Sequence, residues 1–298
     1  MINNDYSELI HLKGNTYYIK GFTNLGLYML NDKDCILIDC PFKKDGPKIY
    51  ELLKKHNLNL VYIVNTHSHP DHTGSNEYLI KQTGCKVIAS RIERAFLRNN
   101  KLDIGFLSGG YPLDNYDTPL MHVDDQHDIL SFRHLPSELR SFRLAGHHYD
   151  MRGIKTKDNV YFIADSICTK ELIDKENIML IYDVEGYKNS LNHLKKLKGN
   201  IMVPAHCPVS KDFDELVDYN LAKMNEIESV ILNILDSDKT YDDIIQGVFN
   251  HYNIRITYNK YLLMGSTIRS YLSYLTHLKM LYTYFKDNKL YFTKNKQK

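Results

Sequence analysis

The sequence predicts a mixed α/β fold followed by a small helical unit, and two patterns carry that expectation. Four times a short apolar run with strand character ends at a turn bearing His or Asp: residues 60–64 before Thr66-His67, 141–145 before Gly146-His147, 160–164 before Asp165, and 201–204 before Ala205-His206. Past about residue 220 that rhythm stops and apolar residues recur at helical spacing instead. With 298 residues and 43% hydrophobic content, the chain can bury the core of one large domain, or of a large and a small one.

Taken in order, residues 17–19, 27–30 and 35–39 are apolar or aromatic runs separated by Gly and Asn-Asp punctuation, as in a meander of strands. Residues 46–57 then place Ile49, Leu52 and Leu53 on one helical face. The buried-strand run 60–64 follows, a second helix is expected from Ser75, and a strand over 86–89 after Gly84. Residues 91–140, with Gly109-Gly110, Pro112, Pro119 and Pro136, read as a loop-rich insertion between ligand-bearing segments. That insertion is expected to form a substrate lid, with Tyr111, Tyr116 and His148 as contacts. His122, His127 and His134 within it read as surface residues, and Asp150, Tyr182 and Asp183 as structural.

The chemistry concentrates in Thr66-His67-Ser68-His69-Pro70-Asp71-His72-Thr73-Gly74. Four specified positions within six residues make a chance match rare. Positions i and i+2 of an extended segment point the same way, so His67 and His69 can face one ion while the turn after Pro70 sends Asp71 and His72 to a neighbouring one. Each ion needs further donors: His147 is assigned to the first, His206 to the second, and Asp165 as a carboxylate bridging both. Two ions about 3.5 to 4 Å apart share a water and lower its pKa toward neutrality. Asp71, besides ligating, would orient the nucleophile or accept its proton. Imidazole and carboxylate suit zinc, iron or manganese, and zinc is the expectation. His147 is preferred over the adjacent His148 because it follows Gly146.

Composition narrows the setting. The N-terminal segment has no basic start followed by an apolar run, and no stretch approaches the length of a membrane span, so a cytoplasmic, non-membrane protein is expected. The five cysteines, Cys35, Cys40, Cys85, Cys168 and Cys207, include no Cys-x-x-Cys pair and suit a reducing compartment. Cys207 carries one reservation, since it adjoins a proposed ligand and thiolates bind soft metals. The net charge of +2 conceals an asymmetry, because residues 254–298 hold nine basic residues against the single acid Asp287.

Asp39 closing Ile-Leu-Ile-Asp, the His67-x-His69-x-Asp71-His72 loop, Gly146-His147, Asp165 in Phe-Ile-Ala-Asp-Ser and His206 in Val-Pro-Ala-His together resemble the metallo-β-lactamase superfamily over about residues 10 to 210. The resemblance implies a four-layer αββα sandwich with the metal site at one edge, and for Asp39 a place behind the ligand loop, where it would hold metal-bound imidazoles in orientation. Within the superfamily, the Asp at position 165 points away from true β-lactamases, and His69 points away from flavodiiron oxidoreductases, which typically carry Glu there. Glyoxalase II, lactonases and nuclease branches share the bridging Asp, while the inserted clamp-domain signatures of some nucleases are not found. The persulfide-dioxygenase branch, with one iron, stays open.

These readings divide the chain into a catalytic domain over 1–215 and a C-terminal domain over 220–298. In the latter, helices are expected from Glu226 to Leu235, from the N-cap Thr240, and from Ser266 to Leu281, followed by a hairpin over 281–293, an order that resembles a winged helix. Thr267, Arg269, Ser270, Tyr274 and Lys279 of the third helix could meet phosphates, and a packing or homodimerisation module is the competing expectation. Three functions follow: hydrolysis of a small ester, thioester or lactone; metal-dependent cleavage of single-stranded RNA drawn in by the basic tail; or a metal-stabilised regulatory, nucleic-acid-binding protein.

Overall fold

The computed structural model of the protein describes residues 5–99, 101–111, 126 and 128–295. A seven-stranded sheet runs in sequence order through β1 (Leu9–Lys13), β2 (Thr16–Ile19), β3 (Leu25–Met29), β4 (Asp34–Ile38), β5 (Asn59–Val64), β6 (Lys86–Ala89) and β7 (Ile129–Ser131). Its first four strands pair antiparallel and its last four parallel. A second sheet has the order β11-β10-β9-β8, formed by β8 (Leu139–Arg143), β9 (Arg152–Thr156), β10 (Val160–Ala164) and β11 (Ile201–Pro204).

Both sheets are apolar on both faces, and strand periodicity explains where each face goes. Along β3 and β4, Leu25, Leu27, Cys35 and Leu37 face one cluster, shared with the helix α1 (Gly46–Lys55) and, beyond the single-turn α2 (Pro70–Thr73), with α3 (Asn76–Thr83) and α4 (Glu93–Arg98). The alternate residues Tyr28, Ile36 and Ile38 face Ile154, Val160, Phe162 and Val203 of the second sheet. Gly26 lets the two sheets approach: a Cβ there would sit 2.6 Å from the ring of Phe162. After α6 (Lys170–Glu176) comes α7 (Val184–Lys195), whose Tyr187, Leu191 and Leu194 pack in the cluster on the outer face of the second sheet, so helices, sheet, sheet and helix form four layers. The short helix α5 (Lys101–Ser108) lies to one side, with Ile104 packed on Leu262.

The C-terminal residues form α8 (Asp214–Ile234), α9 (Tyr241–His251), α10 (Tyr258–His277) and a small sheet ordered β12-β14-β13 from β12 (Lys239–Thr240), β13 (Tyr282–Lys286) and β14 (Lys289–Thr293). Thr240 closes a capping box with Asp243 at the start of α9, at the position its sequence signature marks. Two helix starts differ from the expectation. Helix α8 begins at Asp214, twelve residues before Glu226, because buried Asn220 interrupts its apolar stripe; that amide instead donates to Cys168 O and Leu216 O and accepts from Cys168 N. Helix α10 begins after the cap Thr257, ahead of the expected start at Ser266, and passes through Gly265. A Cβ at that glycine would lie 2.8 Å from the Tyr241 hydroxyl, so close helix packing demands it. One hydrophobic cluster runs from Leu144 and Ile163 beneath the second sheet to Val217, Ile268 and Leu275 of these helices, with no break at residue 215.

Since Phe162 fills the space between the sheets at 3% exposure, Phe162→Ala is expected to lower the unfolding free energy by about 3–5 kcal/mol, measured by urea denaturation.

Candidate metal centre

The strand ends deliver their side chains to one place. Asp39 follows β4 with a left-handed backbone, φ 61°, and its carboxylate accepts from the backbone N–H of Thr66 (2.7 Å), the Thr66 hydroxyl (2.7 Å) and His72 Nδ1 (2.9 Å). The Thr66 oxygen in turn lies 3.1 Å from His67 Nδ1. At the end of β10, Ala164 adopts φ 48°, a conformation L-residues rarely take, and thereby aims Asp165 across the sheet edge. Gly146 has φ 120° and no room for a Cβ, which would meet Tyr187 N at 2.2 Å. His147 follows it, and its Nδ1 donates to Leu180 O at 3.1 Å. His206 Nδ1 donates to Phe22 O at 2.9 Å.

These outer acceptors take the Nδ1 protons of His67, His72, His147 and His206, so each ring turns its Nε2 to the centre. His67 Nε2 and His147 Nε2 each lie 3.0 Å from His69 Nδ1. Across from them, His206 Nε2 lies 3.2 Å and His72 Nε2 3.5 Å from Asp71 Oδ2. Asp165 stands between the two trios, with Oδ1 3.0 Å from His72 Nε2 and Oδ2 3.2 Å from His206 and 3.5 Å from His147. All seven expected ligands therefore come together, as His67, His69 and His147, as Asp71, His72 and His206, and as Asp165 shared between them.

The donor set fits a pair of cations. His72 Nε2 and Asp165 Oδ1 are buried and close, yet neither makes a hydrogen bond. Two buried polar atoms so close and so unmet are what a shared cation would satisfy. Electrostatics distinguish the trios. Burial, reinforced by neighbouring imidazoles, holds His67 well below its ordinary value and His69 at about 3, and burial also lowers His147. Burial opposes charge on His72 and His206 too, but Asp165 and Asp71 outweigh it and raise both well above the usual range. Burial resists ionisation of Asp71 and Asp165 as well, and the facing imidazoles override it, so both remain carboxylates. Cys207 is no thiolate ligand: its thiol faces Ile167 O at 3.6 Å, and burial pushes its pKa up.

Two residues that sequence reading passed over hold the ligand loops together. Glu93 of α4 is fully buried and accepts from Ser68 N (3.0 Å), Ser68 Oγ (2.9 Å) and Asp150 N (2.8 Å) while contacting His148 Nδ1 at 2.7 Å. It thereby ties the His67–His72 loop to the His147 loop. Asp103 of α5 lies 3.4 Å from His148 Nε2. His148, expected on a lid, is instead 4% exposed; burial disfavours its charge, but Glu93 and Asp103 prevail and raise its pKa to about 10. The expected loop-rich insertion supplies α4 and α5, whose buried Glu93, Leu97, Ile104 and Leu107 anchor them. Tyr111 is 81% exposed just past α5 and does not line the cavity over the centre, and Tyr116, His122 and His127 lie outside the described residues. Asp183 caps α7 through Gly186 N, and Asp150 pairs with Arg152 at 2.7 Å, so both are structural.

Helix α10 reaches this centre indirectly. Thr267 Oγ1 donates to Met179 O and accepts from Ile181 N, both at 3.0 Å, and Ser270 Oγ donates to Tyr182 O at 2.8 Å. The segment so clamped contains Leu180, whose carbonyl orients His147.

A raised pKa means a proton bound at neutral pH, which an entering cation must displace. Filling of the His72 and His206 trio is therefore expected to release protons at pH 7 and to weaken as pH falls, whereas the His67, His69 and His147 trio should release few; calorimetry in buffers of different ionisation enthalpy reads the difference. Glu93→Gln, which keeps the shape but loses the charge, is expected to weaken metal binding at the latter trio by about ten- to a hundredfold in chelator competition.

The sequence matches the family model of the Metallo-beta-lactamase superfamily over residues 14–206. A hydroxyacylglutathione hydrolase of Erythrobacter litoralis is 35% identical over 88 residues, 26% of this chain and 34% of that protein. The human mitochondrial persulfide dioxygenase ETHE1 is 39% identical over 72 residues, 23% of this chain and 28% of that protein. The matched stretch thus spans about a third of the length of these relatives. In overall fold the chain is similar to a beta-lactamase domain protein from Burkholderia ambifaria, with TM-score 0.72 and 13% identity over 97% of this chain and 94% of that one. The metallo-beta-lactamase family protein TTHA1429 from Thermus thermophilus aligns at TM-score 0.67 and 18% identity over 91% and 93%. Strand order, the ligand loop at the end of β5 and the family match agree: the chain belongs to the metallo-β-lactamase superfamily.

Proposed function

We propose that this protein is a binuclear metal-dependent hydrolase of a small ester, thioester or lactone. The observation that carries the reading is the split of the donors into two trios joined by one carboxylate, Asp165. Two divalent ions held there, zinc by preference, would supply an activated water and polarise a carbonyl. The chain's own residues do the rest. Asp71, held by the Thr23 hydroxyl at 2.9 Å, is placed to orient a nucleophile or take its proton. Asp39 and the carbonyls of Leu180 and Phe22 keep the imidazoles from turning. The name of the Erythrobacter relative, a hydrolase of an acylglutathione and hence of a thioester, supports the same bond class, and that of the human persulfide dioxygenase makes oxygenation the competing chemistry.

A second reading, cleavage of single-stranded RNA, draws on the β13–β14 hairpin. Phe285 there is 80% exposed beside Lys286 and Lys289, offering a ring for a base and cations for phosphates.

The test is protein purified without chelator or metal-affinity resin, its metal counted per chain, then assayed on esters, thioesters, lactones and single-stranded RNA. Two zinc ions and carbonyl hydrolysis that Asp165→Asn abolishes are the expected outcome. RNA cleavage alone would replace the first reading by the second, and a single bound iron with no hydrolysis would end both.

A further inference from the structure

The cavity above the metal centre has a volume of about 840 Å³, in the range that encloses a whole small ligand. Its floor is made by His69, Asp71, His147, Asp165 and His206. The walls are of another character. On one side Phe22 stands edge-on to His206, with ring centroids 5.1 Å apart, and against Phe42 at 5.6 Å. On the other, Leu172 of α6, Met179 and Leu180 line the space, and Leu263 of α10 completes it. These side chains are only partly covered by the protein itself, so they hold apolar surface against the cavity.

Polar groups in the walls are few and largely committed. Asn24 donates through its amide to Pro204 O and Cys207 O, both at 2.9 Å, and Thr169 Oγ1 accepts from Leu172 N as the cap of α6. Apart from the metal-binding groups, Lys20 is the one charged side chain among the described lining residues, and it is exposed. A charged acyl group drawn into this space would leave water with no partner deep in the wall, whereas an alkyl group would lose nothing and cover leucine, methionine and phenylalanine surface.

From this lining we infer that the substrate is an ester-type compound bearing an uncharged, extended alkyl chain, seated between Phe22 and Phe42 on one side and Leu172, Met179 and Leu263 on the other. The inference rests on the hydrolase reading for the bond, and on the cavity alone for the chain. It also gives α10 a part in selectivity, through Leu263.

The test uses the metal-loaded full chain with p-nitrophenyl acetate, hexanoate, octanoate and hemisuccinate, together with binding of acetate and octanoate, the products, by calorimetry. A fully buried methylene contributes roughly fourfold, so kcat/KM for octanoate is expected to exceed that for acetate by about a hundredfold or more. In Leu263→Lys and in Met179→Lys, each of which sets a cation in the wall, that ratio should fall at least about tenfold. A flat chain-length series, or preference for the hemisuccinate, would overturn the inference while leaving the hydrolase intact. Hydrolysis of none of the esters would remove the ester branch of the hydrolase reading instead, and the product series then decides: octanoate bound more tightly than acetate by wild type but not by the lysine variants sustains the apolar site, and equal binding ends it.

Discussion

Five imidazoles and two carboxylates have been taken largely out of water at one edge of the sandwich, and the surrounding structure is organised around making that tolerable. His67 and His72 are fully buried and His69 is 6% exposed. Clustered in this way, each group shifts its neighbours: the trio nearest Glu93 loses proton affinity to burial, while His72 and His206, facing Asp71 and Asp165, gain it. Such a cluster is costly as an empty arrangement, because buried charges need partners. Cations are the partners that satisfy lone pairs and carboxylates at once, and Asp39, Leu180 O and Phe22 O supply the remaining acceptors on the outer side.

The same constraint explains why the C-terminal helices are not an appendage. The carbonyl that orients His147 belongs to a segment with little regular structure of its own, held by Thr267 and Ser270 of α10. The hydrophobic cluster beneath the second sheet continues without interruption into α8, α9 and α10. A change in the packing of α10 is thus transmitted to a metal ligand through two hydroxyl contacts and one carbonyl, a short path that needs no long-range rearrangement.

Much of the centre is legible in the sequence because strand ends and ligand chemistry coincide. Runs such as Phe-Ile-Ala-Asp and Val-Pro-Ala-His mark both the end of a buried strand and the donor that follows it, so element and ligand reinforce each other. Glu93, Asp103 and His148 illustrate what stays hidden. Glu93 lies in Arg91-Ile-Glu-Arg94, which reads as a solvated charged turn, and its burial depends on donors from residues 68, 148 and 150 that no local pattern connects. Asn220 conceals the first turns of α8 for a related reason, since a polar residue in an apolar stripe looks like an end when its partner, Cys168, is remote. The cavity walls are harder still: Leu172 and Leu263 are the same residue type as the core, and only the fold shows that they face a space.

Parallel pairing decides where such a centre can form. In β4 and β5 the register sets Ile38 beside Val64, which places the following Asp39 beside the ligand loop; its N–H still finds Val64 O at 2.9 Å. In β10 and β11, Ala164 lies beside Pro204, so Asp165 and His206 emerge side by side, and Ala205 N finds Ala164 O at 3.0 Å. At each pair the first strand has to stop and turn within one residue, and Asp39 and Ala164 do so in left-handed conformations that cost about 1–2 kcal/mol each. The neighbouring strand compensates by keeping the turning residue's backbone hydrogen bonded, which an antiparallel hairpin, with its own tight connection at that end, would not leave free to do. Except for His147, which follows the antiparallel edge strand β8, the ligands therefore stand at the carboxyl ends of parallel strands because that is where a chain can turn sharply, keep its backbone paired, and still project side chains from two sheets into one space.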